Sequence, residues 1–161
     1  MIEYRVGTGI DAHALEPGVP LVLGGVELDY DRGLVGHSDG DVIAHALIDA
    51  LLGAAGLGDI GSLFPSGDDR FRGARSLDLL EEAYARVLEA GYELVNADCV
   101  LVGEEPRIAP QRDEMRARLA GVLGVDPDRI AVRATTTDRL GFTGRGEGLA
   151  AQAVALLVRR G

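Results

Sequence analysis

Asp11 and His13 in "GTGIDAHAL", together with His45 in "GHSDGDVIAHALIDALLG", are the residues of this sequence best suited to hold a metal. An Asp-x-His step on an extended segment directs both side chains to one side, because strand side chains alternate with period two. His45 falls in a strongly helical stretch and can close the set from across the fold. Two imidazoles and one carboxylate suffice for zinc with its fourth position left open, the arrangement of a catalytic site. The chain has three histidines, and two of them fall in this set. The competing reading is ordinary loop and helix polarity, because histidine pairs at arbitrary separation also occur without metal. His37 in "GHSDGD" reads, on pattern alone, as a loop histidine making one backbone hydrogen bond. Asp59 in "GDIG" reads in the same way as a turn aspartate.

A second group lies in "ATTTDRLGFTGRGEG". Three threonines at a strand's end, followed by Asp138, set hydroxyl and backbone donors beside a ligand for a hard cation. That setting suits phosphate with Mg²⁺. Arg145 lies between glycines and can approach a second anion, while Phe142 is an unusual residue for a solvent loop. A β-turn with a solvated arginine is the alternative. Neither a Walker A nor a Rossmann spacing occurs. Cys99 in "NADCVLV" is the only cysteine, which excludes an intrachain disulfide and a thiolate zinc knot; a buried apolar thiol is expected there.

The elements that must position these groups follow from pattern. "YRVGTGIDAHAL" reads as a strand leading into a loop, and "VPLVLGGVELDY" as two short strands around Gly24 and Gly25. The glycine-rich "DRGLVGHSDGD" hands over to a helix of about four turns, capped by Asp39 or Asp41. Asp41, His45 and Asp49 are four apart and share a helical face, so a carboxylate there could orient the second ring nitrogen of a metal-bound His45. "GLGDIGSLFPSGDDRFRGAR" is a polar connection longer than linkage requires. Ser76 then caps a helix that Gly91 ends. A strand "YELVNADCVLVG", a helix from Pro110 to Leu123 and a strand "RIAVRATTT" follow. "LAAQAVALLVRR" fits a buried strand or a helix equally well.

With 161 residues, 47% of them hydrophobic, residues 1–161 fit a single α/β domain with a substantial core. The net charge of −10 argues against nucleic acid as a partner. It leaves room for a small phosphorylated ligand, which needs positive charge only locally. All sixteen basic residues are arginine, which excludes a Schiff-base lysine. No leader pattern and no membrane-length apolar run is present, so a soluble, cytoplasmic protein with no membrane partner is expected.

Taken in order and at their separations, "GIDAHAL", "GHSDGDVIAHALIDALLGAAGLGDIGSLFP" and "ATTTDRLGFTGRGEG" resemble the 2-C-methyl-D-erythritol 2,4-cyclodiphosphate synthase family across essentially the whole chain. The resemblance implies an α/β (α+β) sandwich, one β-sheet with helices on one face, assembled as a homotrimer with active sites between subunits. It also makes the terminal segment a strand. The activity implied is that of a phosphorus–oxygen lyase of the non-mevalonate (MEP) isoprenoid pathway, which cyclises 4-diphosphocytidyl-2-C-methyl-D-erythritol 2-phosphate and releases CMP.

By the same resemblance, Asp11, His13 and His45 bind Zn²⁺, with Ala12 between them at the substrate. His37 and Ser38 contact the methylerythritol phosphate, and His37 with Thr136 stabilises the transition state. Asp59, Ile60 and Gly61 hold the methylerythritol hydroxyls, helped by the flexible stretch Phe64, Pro65, Ser66, Gly67 and Asp68. Gly103, Glu104, Glu105, Pro106, Arg107, Ile108 and Ala109 of the next subunit receive the cytidine. Thr135, Thr136, Thr137 and Asp138 lie near the diphosphate, where Asp138 meets Mg²⁺ or Mn²⁺. Phe142 and Arg145 match positions near the trimer axis, followed by Glu147. There Arg145 would meet an isoprenoid diphosphate, and Phe142 with Ile10 would line the apolar part of its cavity.

Four positions depart from the family pattern. Asp138 stands where glutamate is common, Arg107 and Arg133 where lysine is frequent, and Ser66 where aspartate is common. The alternative function is an isoprenoid-diphosphate-binding trimer with little catalytic activity. A generic zinc hydrolase is disfavoured by the lack of an evident general base beside the metal set.

Overall fold

The computed structural model describes all 161 residues. Strand β1 (Ile2–Pro17) runs the length of the molecule. A two-stranded ribbon follows, β2 (Leu21–Leu23) paired antiparallel with β3 (Val26–Leu28), then the short β4 (Arg32–Leu34). Helix α1 (Val42–Ala55) and the single turn α2 (Ile60–Leu63) lead to α3 (Ser76–Glu89). Strand β5 (Glu93–Val102), α4 (Arg112–Leu123), β6 (Ile130–Thr135), the turn α5 (Gly141–Gly144) and β7 (Gly148–Arg160) complete the chain.

Five strands form one sheet in the order β4-β1-β7-β5-β6, with only the β5–β6 pair parallel. The terminal segment is therefore a strand, as the resemblance implies, and it pairs along nearly all of β1. The ribbon β2–β3 stands apart from that sheet. Strand β4 lies in what the sequence presents as a glycine-rich loop. Its three residues are too few for a periodicity signal, and pairing with Leu15, Glu16 and Pro17 makes it a strand.

Helix α1 is apolar nearly all round and is buried along almost its whole length, as a central helix must be. It lies on β1 at the shortest separation backbone allows. A Cβ placed on Gly7 would collide with the Ala50 carbonyl oxygen, and one on Gly9 with the Ala46 carbonyl oxygen. Helix α3 instead buries one stripe, Leu77, Leu80, Ala83, Tyr84 and Val87, against a continuous cluster of 39 buried apolar residues.

Asp41 is the cap of α1, and it does more than cap. Its carboxylate accepts from the Ala44 N–H at 3.1 Å, the Gly24 N–H at 2.9 Å and the Gly25 N–H at 2.7 Å. It thus ties the β2–β3 turn to the helix start with no exposure to solvent. Asp41→Ala leaves these donors without a partner, at a cost of about 3 kcal/mol. Thermal unfolding should shift down by roughly 6–12 °C, while Asp41→Asn, which keeps an acceptor oxygen, should recover part of it. An unchanged melting point in the alanine variant would show that the turn and helix are held otherwise.

Candidate metal centre and substrate cavity

Strand β1 presents Asp11 and His13 on its helix-facing side, paired in register with Ala151 and Leu149 of β7. His45 stands one turn into α1, beside Ala46, the residue that packs on Gly9. The strand–helix contact therefore sets the distance between the two halves of the metal set. Oδ2 of Asp11 lies 2.9 Å from Nε2 of His13 and 2.9 Å from Nδ1 of His45, and the two ring nitrogens are 3.4 Å apart. Zinc bonds of 2.0–2.1 Å at tetrahedral angles put neighbouring donors about 3.3 Å apart; the two ring nitrogens match that spacing, and the two contacts to Asp11 are shorter, so the set can hold the ion once the carboxylate moves outward slightly. No other group of histidine, cysteine and acidic side chains in the chain offers such a cluster.

The electrostatics of the set follow from its geometry. Burial raises the Asp11 carboxyl, but hydrogen bonds from His13 and His45 outweigh it and hold it at about 2. The bond to Asp11 raises His13 above its usual value despite burial, and the His13 ring also bonds the backbone of Val35. In metal-free protein the lowered Asp11 stabilises the fold above its ordinary carboxylate range, a contribution lost as pH falls from about 4 towards 2. The raised His13 stabilises at pH below about 6.5, a contribution lost as pH rises through its folded value. Denaturant titrations of chelator-treated protein should show both flanks, and zinc should abolish the alkaline one by replacing the proton. A flat profile between pH 3 and 8 would remove the Asp11–His13 bond from the stability of the fold.

The second ring nitrogen of His45 is not served by a carboxylate on its own helix. Asp41 is spent on the cap, and Asp49 accepts from the Ile60 N–H at 2.7 Å. Nε2 instead meets Oγ of Ser76 at 2.8 Å and Oγ of Ser38 at 3.0 Å. Ser76 consequently makes no cap for α3, contrary to the pattern-based expectation; its hydroxyl is engaged by His45 and Asp39. Helical spacing sees only one element, and these partners come from a loop and a second helix.

A cavity of about 420 Å³ opens over the metal set. His37, Ser38, Ile60, Gly61, Phe64, Pro65, Ser66 and Gly67 line it with Asp11, His13 and His45. Nε2 of His37 donates to the Asp68 carbonyl oxygen at 3.0 Å, closing the loop over the cavity. Phe64 packs edge-on against Phe71 at 5.2 Å beneath it. Asp59 and Asp68 do not line the cavity: Asp59 caps α2 through the Ser62 N–H at 2.8 Å, and Asp68 pairs with Arg70. The Ala12 side chain is exposed, on the face of β1 opposite Asp11 and His13.

A second cavity, of about 240 Å³, shares no residue with the first. Gly103, Glu104, Pro106, Arg107, Ile108 and Ala109 line it with Thr135 and Thr136. Glu105 is exposed outside it. Glu104 accepts from the Thr137 N–H at 3.2 Å, so the two segments are joined. Beyond β6, Asp138 and Arg139 both take left-handed backbone (φ 53° and 66°), which turns the chain sharply and leaves the Asp138 side chain exposed. Arg145 pairs with Glu147 at 2.9 Å, and Phe142 and Ile10 are 44% and 68% exposed, too much for core residues of an isolated chain. Cys99 is buried, its thiol pushed up to about 12 by burial, and so is inert.

Residues 4–158 match the YgbB family. The 2-C-methyl-D-erythritol 2,4-cyclodiphosphate synthase of Moorella thermoacetica is 60% identical over 156 residues, 97% of this chain and 96% of its own. The bifunctional IspDF of Campylobacter jejuni superposes with a TM-score of 0.96 at 44% identity, covering 99% of this chain and 43% of its own. A 2C-methyl-D-erythritol-2,4-cyclodiphosphate synthase in its CDP-bound form superposes with a TM-score of 0.87 at 42% identity, covering 95% of this chain and 99% of its own. The chain belongs to the YgbB family, the enzyme family of the 2-C-methyl-D-erythritol 2,4-cyclodiphosphate synthases, which are lyases.

Proposed function

We propose that this protein converts 4-diphosphocytidyl-2-C-methyl-D-erythritol 2-phosphate to 2-C-methyl-D-erythritol 2,4-cyclodiphosphate and CMP, in the MEP pathway. The observation that carries the reading is the clustered Asp11–His13–His45 set in the wall of a cavity, on a chain of this family. Asp11, His13 and His45 would hold zinc, which would supply Lewis-acid polarisation of the substrate's β-phosphate, and Asp138 would hold Mg²⁺ or Mn²⁺, which would offset charge on the diphosphate.

The substrate brings its own nucleophile, a 2-phosphate that is largely dianionic at neutral pH. The protein therefore needs no activated serine, cysteine or strong base; its task is to bend one molecule and hold both ends. His37, anchored to the Asp68 carbonyl through Nε2–H, and the Ser38 hydroxyl, which can donate to a phosphate oxygen, contact the methylerythritol phosphate. Asp59, Ile60 and Gly61 take the methylerythritol hydroxyls, and Phe64 to Asp68 exclude water above them. Thr135, Thr136 and Thr137 take the diphosphate, and the cavity at Gly103–Ala109 takes the cytosine. One carboxylate and two neutral imidazoles around a dication leave a local charge of +1, so an acidic chain can still bind a polyanion.

A homotrimer completes this arrangement. Two features support it: the cavities are separate within one chain, and the outer sheet face exposes Tyr4, Val6, Ile10 and Val154. A contiguous apolar face of that kind marks a protein contact. A cytoplasmic location is part of the proposal; no helix is long and apolar enough to cross a membrane. Exposed Phe142, three residues before Arg145, and exposed Ile10 favour a second role in binding an isoprenoid diphosphate at the trimer axis. That anion must compete with Glu147 for Arg145, which ranks this role below the enzyme reading.

The deciding experiment is phosphorus NMR of the protein with this substrate and Mg²⁺, with and without a zinc chelator. A cyclic diphosphate with equimolar CMP, abolished by the chelator and restored by zinc, is expected. Unchanged substrate in the presence of folded, zinc-loaded protein would overturn the enzyme reading.

A further inference from the structure

The outer side of His45 is held as firmly as the side that faces the metal position. Its Nε2 lies 2.8 Å from Oγ of Ser76 and 3.0 Å from Oγ of Ser38. Ser76 is completely buried. Its hydroxyl is hydrogen-bonded to Oδ1 of Asp39, and its backbone N–H donates to Oδ2 of the same carboxylate at 3.0 Å. A carboxylate only accepts, so the Ser76 hydroxyl proton belongs to Asp39. The hydroxyl oxygen can then meet Nε2 only as an acceptor, and Nε2 carries a proton.

We infer that Ser76 and Asp39 are positioning residues, a relay from Nε2–H of His45 through the Ser76 hydroxyl to the Asp39 carboxylate that fixes the ring for metal binding. The inference rests on the metal reading proposed above. With Nε2–H held, Nδ1, which faces Oδ2 of Asp11 at 2.9 Å, is the ligand atom. The carboxylate behind the hydroxyl makes the ring a better donor, as outer partners of metal-bound histidines do. His13 has a simpler support, the backbone of Val35. A backbone partner cannot be mutated away, whereas the His45 relay depends on two side chains 37 positions apart, brought together by the loop before α1 and the start of α3.

The test is zinc affinity by competition with a chromophoric chelator, beside ¹⁵N imidazole NMR of the zinc-loaded protein. Wild type should show a His45 Nε2–H protected from exchange with water. Ser76→Ala should lose that signal and bind zinc roughly 10–100-fold more weakly. Asp39→Asn keeps an acceptor oxygen for Ser76 but removes the charge, and should weaken zinc by roughly 10-fold. Wild-type affinity with a protected Nε2–H in Ser76→Ala would overturn the relay and leave the metal reading standing. Should Ser76→Ala fail to fold, judged by its helical circular dichroism, Asp39→Asn decides, and unchanged affinity there overturns the relay. Wild-type protein that takes up no zinc would overturn the metal reading and the relay with it.

Discussion

His45→Ala should hold less than one-hundredth of the wild-type zinc affinity and lose nearly all cyclisation activity, while keeping its secondary structure. Structural zinc sites with four protein ligands bind with about 10–16 kcal/mol, so one ligand is worth ~3 kcal/mol, a factor of roughly 150 in affinity. Polarisation of a phosphoryl oxygen by a metal is worth several kcal/mol in the transition state, a loss of at least roughly a hundredfold in rate. The fold has other supports along α1. Val42, Ile43, Leu47, Ile48, Leu51 and Leu52 are all fully buried, and the cap at Asp41 is untouched. Zinc content per chain after dialysis and product formation by phosphorus NMR measure the two losses. A variant that keeps one tightly held zinc per chain would move the metal elsewhere.

Much of this site is legible in the sequence, for identifiable reasons. The Asp-x-His step carries its own geometry, because a strand places alternate residues on one face whatever the surrounding fold. The paired glycines between β2 and β3 likewise announce a turn, and both take positive φ. The outer partners of His45 are not legible in the same way. Helical spacing nominates Asp41 and Asp49, but Asp41 is drawn to three backbone donors, Gly24, Gly25 and Ala44, two of them on the ribbon. Ser76 presents the pattern of a helix cap and is taken instead by His45 and Asp39. In both cases the local rule loses to a tertiary partner, since a buried polar group goes where its hydrogen bonds are best satisfied. The terminal strand β7 is ambiguous for another reason: its outward positions Ala150, Val154 and Leu156 are as apolar as its buried ones, so burial alternates while the sequence does not, and pairing with β1 and β5 decides it.

The contact that sets the metal geometry is the approach of α1 to β1, and Gly9→Ala should disturb it most. A methyl group at Gly9 would run into the Ala46 carbonyl oxygen, with Cβ of Asp49 at 2.8 Å and the Ala50 nitrogen at 2.9 Å. Two of these three obstacles are backbone, so no side-chain rotation relieves the clash and the helix must lift. Overpacking of that kind costs typically 1–3 kcal/mol, and the backbone partners put this case near ~3 kcal/mol. Melting should fall by roughly 6–12 °C. The helix carries His45 beside the displaced Ala46, while Asp11 stays on the strand two residues beyond Gly9. The donor separations of 2.9 and 3.4 Å should therefore open, and zinc affinity should fall with stability. Gly7→Ala supplies the control. It meets Ala50 and Ala54, further along the helix from His45, and should cost similar stability with a smaller loss of zinc. Equal zinc losses in the two variants would mean that global destabilisation, and not the local separation of Asp11 and His45, governs the metal. Wild-type melting and zinc affinity in Gly9→Ala would refute the close helix–strand contact as the device that builds the site.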